Sequence, residues 1–151
     1  MDAPKPQLST HLWLVMMKAF QAVREHAESS IATTGLCMTD FTTLEVLLHK
    51  GPLPVNTIGE KVQLTSGSIT TAVDRLEKKG LVERQFSEHD RRVRLVHLTS
   101  TGRQLIEGVF EAHEQALCLA TSGLNEEEKQ HLIDLLKKLG KKASQLLKET
   151  H

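Results

Sequence analysis

Aromatic residues are scarce in this sequence, and tyrosine is absent. Of 151 residues, 3% are aromatic, namely four phenylalanines and one tryptophan. Proteins that bind single-stranded nucleic acid stack successive bases on aromatic rings. The composition therefore argues against a stacking surface of that kind.

Cysteine is also scarce, since the chain has only Cys37 and Cys118. Two thiols are too few for a disulfide framework or for a four-thiolate zinc site. The eight histidines include no pair spaced i, i+4 and no grouping with cysteine, so we predict no metal site and no cofactor. A nucleophile elbow and a glycine loop for phosphate are likewise missing, which indicates a protein that is not an enzyme.

Long apolar runs are missing as well. No segment approaches the roughly 20 apolar residues of a membrane-spanning helix, and residues 1–10 lack the basic and then apolar pattern of a secretion signal. We expect a cytoplasmic protein without a membrane partner.

Net charge is zero, with 19 basic and 19 acidic residues, which at first argues against a nucleic-acid partner. The charge is unevenly distributed, however. Residues 65–103 have a balance of +3, whereas residues 1–64 have −1 and residues 104–151 have −2. Because the distribution of charge says more about partners than its total, the middle segment is a candidate nucleic-acid contact.

The hydrophobic pattern predicts six helices and one β-hairpin. Apolar residues at spacings of three and four predict helices over 8–32, 38–50, 55–62, 65–79, 99–122 and 126–147. Between the fourth and fifth helices the pattern changes and predicts strands over 81–86 and 93–98 around a polar tip. The order predicts a mainly α protein with a small β-hairpin wing, which is a winged helix–turn–helix with further helices at both ends.

The fourth predicted helix has the composition of a helix that enters the major groove of DNA. Its apolar residues occupy one third of the helical circumference, and polar residues occupy the opposite half. Short hydroxyl side chains allow close approach to the DNA, and an arginine further along is long enough to reach a guanine edge or a phosphate. A solvated helix face is the alternative interpretation. The candidate contacts are Ser66, Ser68, Thr70, Thr71 and Arg75.

The tip of the hairpin is the second candidate DNA contact. Asp90 lies two residues before Arg92 and could hold its guanidinium by a bidentate pair. An arginine aimed from a narrow loop can enter the minor groove, where the negative potential is enhanced. Arg91 and Arg94 flank it and could meet phosphates. A solvated turn with incidental charges is the alternative.

These segments resemble the MarR family of bacterial transcriptional regulators. The runs LTSGSIT at 64–70 and VDRLEKKGLVER at 73–84 are similar to that family's recognition helix and first wing strand. Asp90-Arg91-Arg92, followed by Leu98-Thr99 and Gly102, resembles its D-x-R wing motif and its LT-x-x-G helix start. The flanking helices match in length and order, so the resemblance covers essentially the whole chain.

The resemblance implies a homodimeric regulator whose two winged domains each read half of a palindromic operator in double-stranded DNA. Residues 1–34 and 99–151 would form the dimerisation helices, and residues 35–98 the DNA-binding domain. The leucines of the terminal helices support a dimer independently, because they exceed what one small winged domain could bury. A repressor released by an effector is the expected function. A winged helix that binds proteins instead of DNA is the alternative, which the arginines at the tip disfavour.

The effector is left open by the sequence. Residues 39–41, 44–51 and 66–70 look closest to the branch of the family that senses quinones and hydroquinones. Cys37, in a loop after Gly35, could be alkylated by a quinone or oxidised, although no Lys, Arg or His is its neighbour in sequence. An inert thiol is the alternative, and Cys118 is expected to pack in a core.

A small aromatic effector could also bind without covalent reaction. His11 or His113 could hydrogen-bond a phenolic hydroxyl near the dimer interface. Trp13, Met16 and Phe20 of the first helix could supply an apolar wall. Ordinary packing at the interface is the alternative for these residues.

Overall fold

The computed structural model of the chain describes residues 5–150, and its helices and strands follow one another in the predicted order. They are α1 (Pro6–Ile31), a 3-10 turn (Ala32–Thr34), α2 (Met38–Lys50), α3 (Val55–Val62), α4 (Ser66–Lys78), β1 (Val82–Phe86), β2 (Arg94–Leu98), α5 (Ser100–Ala120) and α6 (Glu126–Glu149). Each predicted element is present, and its ends lie within two residues of the prediction. Residues 1–4 and 151, which belong to the predicted dimerisation segments, lie outside the described residues.

The chain divides into two compact units. The first ends at Leu117, and it contains α1 to α4, the hairpin and most of α5. The second begins at Cys118 and contains α6.

Glycine and capping side chains explain where α2 ends and where α4 and α6 begin. Gly51 follows α2 with φ 77°, a left-handed conformation that glycine adopts without steric cost. Thr65 caps the start of α4, where its hydroxyl accepts a hydrogen bond of 3.2 Å from the amide of Ser68. The second unit begins α6 with a capping box formed by Asn125 and Glu128. These caps satisfy backbone amides that would otherwise lack partners.

The core of the first unit lies between α2, α3, α4 and the hairpin. The apolar side of α4 faces inward as predicted, since Ile69, Ala72, Val73 and Leu76 are fully buried. Further buried side chains come from the other elements, namely Phe41, Leu44, Leu47, Ile58, Val82, Val96 and Ile106. The exposed side of α4 is therefore held in place by a packed core.

The hairpin is antiparallel, and its register pairs Val82 with Leu98 and Phe86 with Arg94. Leu53, between α2 and α3, adds an isolated bridge to β2, since its amide and carbonyl both bond to Val96, at 3.3 and 2.8 Å. The wing is thereby attached to the helix–turn–helix through the backbone.

The start of α5 shows why the LT-x-x-G motif needs its residues. The Thr99 hydroxyl donates to the Gly80 carbonyl at 2.6 Å and accepts from the Gly102 amide at 3.0 Å. A Cβ atom at position 102 would lie 1.9 Å from the carbonyl oxygen of Leu81, so only glycine fits there. The motif fixes where α5 leaves the wing.

The terminal helices bury little. In α1 only Ile31 is buried, and in α6 no residue is. Many large apolar side chains of these helices are exposed, among them Leu8, Leu12, Trp13, Val15, Phe20, Leu132, Leu135, Leu136, Leu139, Leu146 and Leu147.

Among the helices of residues 5–150, no single one is both long and apolar enough to cross a bilayer. By length and composition alone, the segment Pro6–Thr34 taken together with α2 would suffice, but the two meet at a bend of 86°.

Candidate nucleic-acid interface

The outer face of α4 is polar and accessible. Ser66, Ser68, Thr70 and Thr71 are all exposed, as the helical wheel predicts. The hydroxyls of Thr70 and Thr71 donate to helix carbonyls one turn earlier, at 2.7 and 3.0 Å. Their oxygens consequently remain as outward hydrogen-bond acceptors, beside the Ser68 hydroxyl, which accepts from Thr65 at 2.9 Å.

Arg75 is on the same helix but does not point freely to solvent. Its Nε donates to both carboxylate oxygens of Asp40, at 3.0 and 3.1 Å, and its Nη2 also donates to Oδ1. Asp40 is only 1% exposed. These hydrogen bonds raise the pKa of Arg75 against the effect of desolvation, so the guanidinium stays charged. The prediction that Arg75 reaches a guanine edge or a phosphate did not include this partner.

Lys79, the C-cap residue that follows α4, binds the same carboxylate. Its Nζ lies 3.4 Å from Oδ2 of Asp40 and 3.3 Å from the carbonyl oxygen of Gly35. A buried carboxylate is stable when cations and hydrogen bonds compensate for its lost hydration. Arg75 and Lys79 together supply that compensation and fasten α4 to the start of α2.

The wing tip has the predicted geometry. Arg92 donates through Nε to Oδ1 and through Nη2 to Oδ2 of Asp90, at 3.1 and 3.2 Å, so the bidentate pair is confirmed. The side chain of Arg92 is 91% exposed. Its side-chain and backbone hydrogen bonds lower the pKa of Asp90. Arg94 lies over the ring of Phe86, 4.9 Å from the centroid, and Arg91 is exposed.

Arg84 is a structural cation that the sequence interpretation missed. It bridges from β1 to Asp74 and Glu77 of α4, with Nη2 2.6 Å from Oδ1 of Asp74. Burial opposes the charge, but the hydrogen bond to Asp74 and the attraction of Glu77 outweigh it and raise the pKa of Arg84. The bridge fixes the wing to α4 and offsets one of the two negative charges that it contacts on that helix.

The excess positive charge of residues 65–103 is not spread evenly over the surface of this segment. Most of its eight cations are paired with carboxylates. Lys78, Arg91 and Arg94 have no carboxylate partner within residues 5–150. The cations available to DNA lie at the end of α4 and in the wing.

The two cysteines differ from their predicted surroundings. Cys37 is exposed at the N-cap of α2, and its Sγ lies 3.5 Å from Nη2 of Arg75. The fold thus supplies the cation that its sequence neighbours lack. Cys118 is exposed, so its predicted core packing is wrong in the single chain. Its neighbour Leu119 is 67% exposed, so this end of α5 is not enclosed in a core.

The predicted aromatic pocket is not assembled by one chain. His11, Trp13 and Phe20 are exposed on α1. His113 is instead buried, with Nδ1 2.9 Å from the Ser30 hydroxyl and its ring 4.5 Å from that of Phe41. Two open cavities of the described residues lie elsewhere, between α3 and α4 and beside the wing tip. Nor do residues 5–150 contain a cluster of three His, Cys, Asp or Glu side chains that could hold a metal ion.

A helix–turn–helix with an exposed polar second helix and an arginine-tipped wing defines the class of winged-helix DNA-binding proteins. The model of the MarR family matches residues 36–93. The HTH-type transcriptional regulator MhqR of Bacillus subtilis is 39% identical over 137 residues, which cover 91% of this chain and 94% of that protein. The chain belongs to the MarR family of DNA-binding transcriptional regulators.

Solved structures show the same fold. A MarR family protein from Bacillus stearothermophilus has a TM-score of 0.76 and 25% identity, covering 94% of this chain and 99% of that one. Overoxidised AbfR bound to DNA has a TM-score of 0.68 and 27% identity, covering 89% and 93%. The family resemblance and the winged-helix fold class are both confirmed, and membership of a family of non-enzymatic regulators agrees with the predicted lack of catalysis.

Proposed function

We propose that this protein is a homodimeric repressor that binds a palindromic operator in the cytoplasm and is released by an effector. The observation that carries the proposal is the pairing of two exposed elements on one winged unit. One is the hydroxyl face of α4, and the other is Arg92, which Asp90 aims from the wing.

DNA contacts divide between the two grooves. The second helix of a helix–turn–helix lies in the major groove, where Ser66, Ser68, Thr70 and Thr71 would meet base edges and phosphates. Arg92 would enter the neighbouring minor groove, where the negative potential is enhanced. The remaining wing cations, Arg91 and Arg94, would bind phosphates.

The exposed apolar side chains of α1 and α6 support the dimer. Exposed apolar faces of this kind on a helix mark an interface, and a second copy is the partner that family membership favours. We accordingly assign residues 1–34 and 99–151 to dimerisation and residues 35–98 to DNA binding. A two-fold dimer presents two copies of α4 to two half-sites, so the operator is a palindrome.

Selection from a random duplex pool tests the proposal. We expect the wild-type protein to select a palindrome and to bind it as a dimer in gel-shift and sedimentation measurements. The affinity should fall steeply with salt, because phosphate contacts release counterions. If no duplex is selected over a scrambled one, the protein-interaction alternative replaces this function.

Release by a thiol reaction is the first of two routes that we propose. Reactive cysteines are partly exposed and lie beside a cation, and Cys37 meets both conditions through Arg75 of α4. With a quinone, the thiol sulfur would form a C–S bond to the ring, and the thiol proton and one ring proton would move to the two quinone oxygens to give a hydroquinone thioether. An adduct at this point would disturb α4 directly.

Reversible binding of a phenolic or quinone ligand is the second route. His11, Trp13 and Phe20 are exposed in one chain, so the binding site would be completed only where a second copy covers α1. Residues 39–41, 44–51 and 66–70, which look closest to the quinone-sensing branch, support this class of effector.

A panel of phenols, quinones and peroxides, added to the preformed DNA complex, separates the two routes. For the thiol route we expect Cys37→Ser to stay on DNA under quinone or peroxide, while Cys118→Ser, the matched control, is released like the wild type. If Cys37→Ser is released as readily as the wild type, the reversible ligand is the effector, and Phe20→Ala should then weaken its action.

A further inference from the structure

Arg75 occupies a position on α4 from which an arginine would be expected to read DNA. It follows Thr71 by four residues and Ser68 by seven, so all three lie on one stripe of the helix. A free arginine at such a place makes the commonest specific contact with DNA, two parallel hydrogen bonds to O6 and N7 of guanine. The fold gives this arginine another partner.

That partner is a carboxylate that cannot easily exchange it for DNA. Asp40 is 1% exposed and is bound by Arg75 through Nε and Nη2, with Lys79 at 3.4 Å as the second cation. Moving Arg75 into a groove would leave a buried charge with one weak contact. Removing one partner of a buried pair is strongly unfavourable.

The remaining donors of Arg75 do not suit a base pair. Nε and Nη2 are used by Asp40, and Nη2 also lies 3.5 Å from Sγ of Cys37. Nη1 has no protein partner among residues 5–150, and the side chain is 40% exposed. A bidentate contact with guanine needs two neighbouring nitrogens. Nη2 donates to both Asp40 and Cys37, so only the two N–H groups of Nη1 are left. They can bind phosphate oxygens but do not form the pair of parallel bonds from two nitrogens that O6 and N7 of guanine receive.

We propose that Asp40 is a specificity-determining residue, which withholds Arg75 from base edges so that α4 reads DNA through Ser68, Thr70 and Thr71. The inference rests on the proposed role of α4 as the reading helix. The two threonine hydroxyls already donate to helix carbonyls, so they present acceptors, together with methyl groups. Such a face recognises the amino groups of adenine or cytosine and the methyl group of thymine.

Asp40→Asn tests the inference, because it keeps the shape of the side chain and removes the charge that holds Arg75. Dissociation constants are measured for the duplex that the wild type selects and for a scrambled duplex of equal composition. We expect the scrambled duplex to bind more tightly and the ratio of the two constants to fall roughly tenfold, as the released arginine contacts other bases.

The double variant Asp40→Asn/Arg75→Met is the decisive companion. It removes the buried carboxylate together with Arg75, and the remaining cation, Lys79, is exposed to solvent. The inference can therefore be tested even if the single variant Asp40→Asn folds poorly. We expect its ratio to return to the wild-type value, with both affinities lowered by the same factor through loss of one phosphate contact. A residue that only supported the fold would not produce this recovery.

Glu88→Gln is the charge-matched control, since it removes one negative charge from an exposed wing position that has no partner among the described residues. If Asp40→Asn alters the ratio no more than Glu88→Gln does, the inference is wrong. A double variant that discriminates roughly tenfold less than the wild type also overturns it, because Arg75 would then read bases. If the wild type selects no duplex, the proposed function fails first.

Discussion

The winged region and the terminal helices carry similar amphipathic patterns but bury them differently. In α2 and α4 the apolar side is enclosed within one chain, as the full burial of Phe41, Leu44 and Leu76 shows. In α1 and α6 it is exposed, apart from Ile31 at the end of α1. The comparison teaches that periodicity identifies an apolar face without saying what covers it. One region encloses its apolar side within a single chain, and the other leaves it exposed.

Two phenylalanines, one in each region, allow the comparison to be measured. Replacing the buried one should give the largest change in stability of the variants considered. Phe41 is fully buried and packs on His113, whereas Phe20 is 66% exposed on α1. We expect Phe41→Ala to lower the free energy of unfolding by about 3–5 kcal/mol, because it removes core contacts and leaves a cavity. Urea unfolding should show this loss at every protein concentration.

Phe20→Ala should behave in the opposite way. In a dissociated chain its cost should be within about 0.5 kcal/mol, as for other surface positions. In the dimer the cost should appear as weaker association, so apparent stability should fall only where the protein concentration favours the dimer. If Phe20→Ala costs the same at all concentrations, or leaves dimer dissociation unchanged in sedimentation, α1 is not the interface.

Two glycines of α5 test how tightly the winged region is fitted together. A Cβ at Gly102 would overlap the Leu81 carbonyl, whereas one at Gly108 would meet nothing within 4 Å. We expect Gly102→Ala to destabilise the protein by about 1–3 kcal/mol through overpacking. Gly108→Ala should stabilise it by about 0.5–1 kcal/mol, since alanine is the better helix former. Thermal unfolding of both variants checks the difference, and equal shifts would contradict the close contact.

Sequence reasoning succeeded where the determining interactions are local. The order of elements, the buried side of α4 and the pair between Asp90 and Arg92 all depend on residues within a few positions of each other. Periodicity, capping and short charge spacings report such interactions directly. The predicted division into dimerisation and DNA-binding segments remains a prediction.

It failed where partners meet through the tertiary fold. Arg75 and Asp40 are 35 residues apart in sequence, and a helical wheel shows the direction of a side chain but not what stands opposite. The sequence does contain the three residues of this cluster, Asp40 in the first turn of α2 and Arg75 and Lys79 at the end of α4. Their pairing could have been predicted only if the packing of α2 on α4 had been known. The exposure of Cys118 was missed because apolar neighbours in sequence indicate an apolar surface but do not show whether another element packs against it.

Arg92 should be the wing residue whose loss most weakens DNA binding. We expect Arg92→Ala to reduce affinity for the selected duplex by about 1–3 kcal/mol and leave thermal stability nearly unchanged, because its partner Asp90 lies at the surface. Arg24→Ala is the matched control, since Arg24 forms a similar exposed pair with Glu28 on α1. Equal gel-shift affinities of the two variants would show that the wing does not touch DNA.

The wing pair should also show a small and specific dependence on pH. Hydrogen bonds from Arg92 lower the pKa of Asp90 below its ordinary value of 3.8. The pairing is therefore fully present above that value and is lost as the pH falls through the lower pKa of the folded protein. Between pH 5 and pH 8 we expect the pair between Asp90 and Arg92 to remain intact.

A carboxyl-carbon NMR titration of Asp90 measures this effect. The midpoint in the wild type should lie below that in Arg92→Ala, where it should return toward 3.8. Coincident Asp90 midpoints would mean that the carboxylate does not hold Arg92 in solution. The orientation of Arg92 would then not be fixed within the chain, and the wing would lose the internal pairing that sets it apart from the exposed faces of α1 and α6.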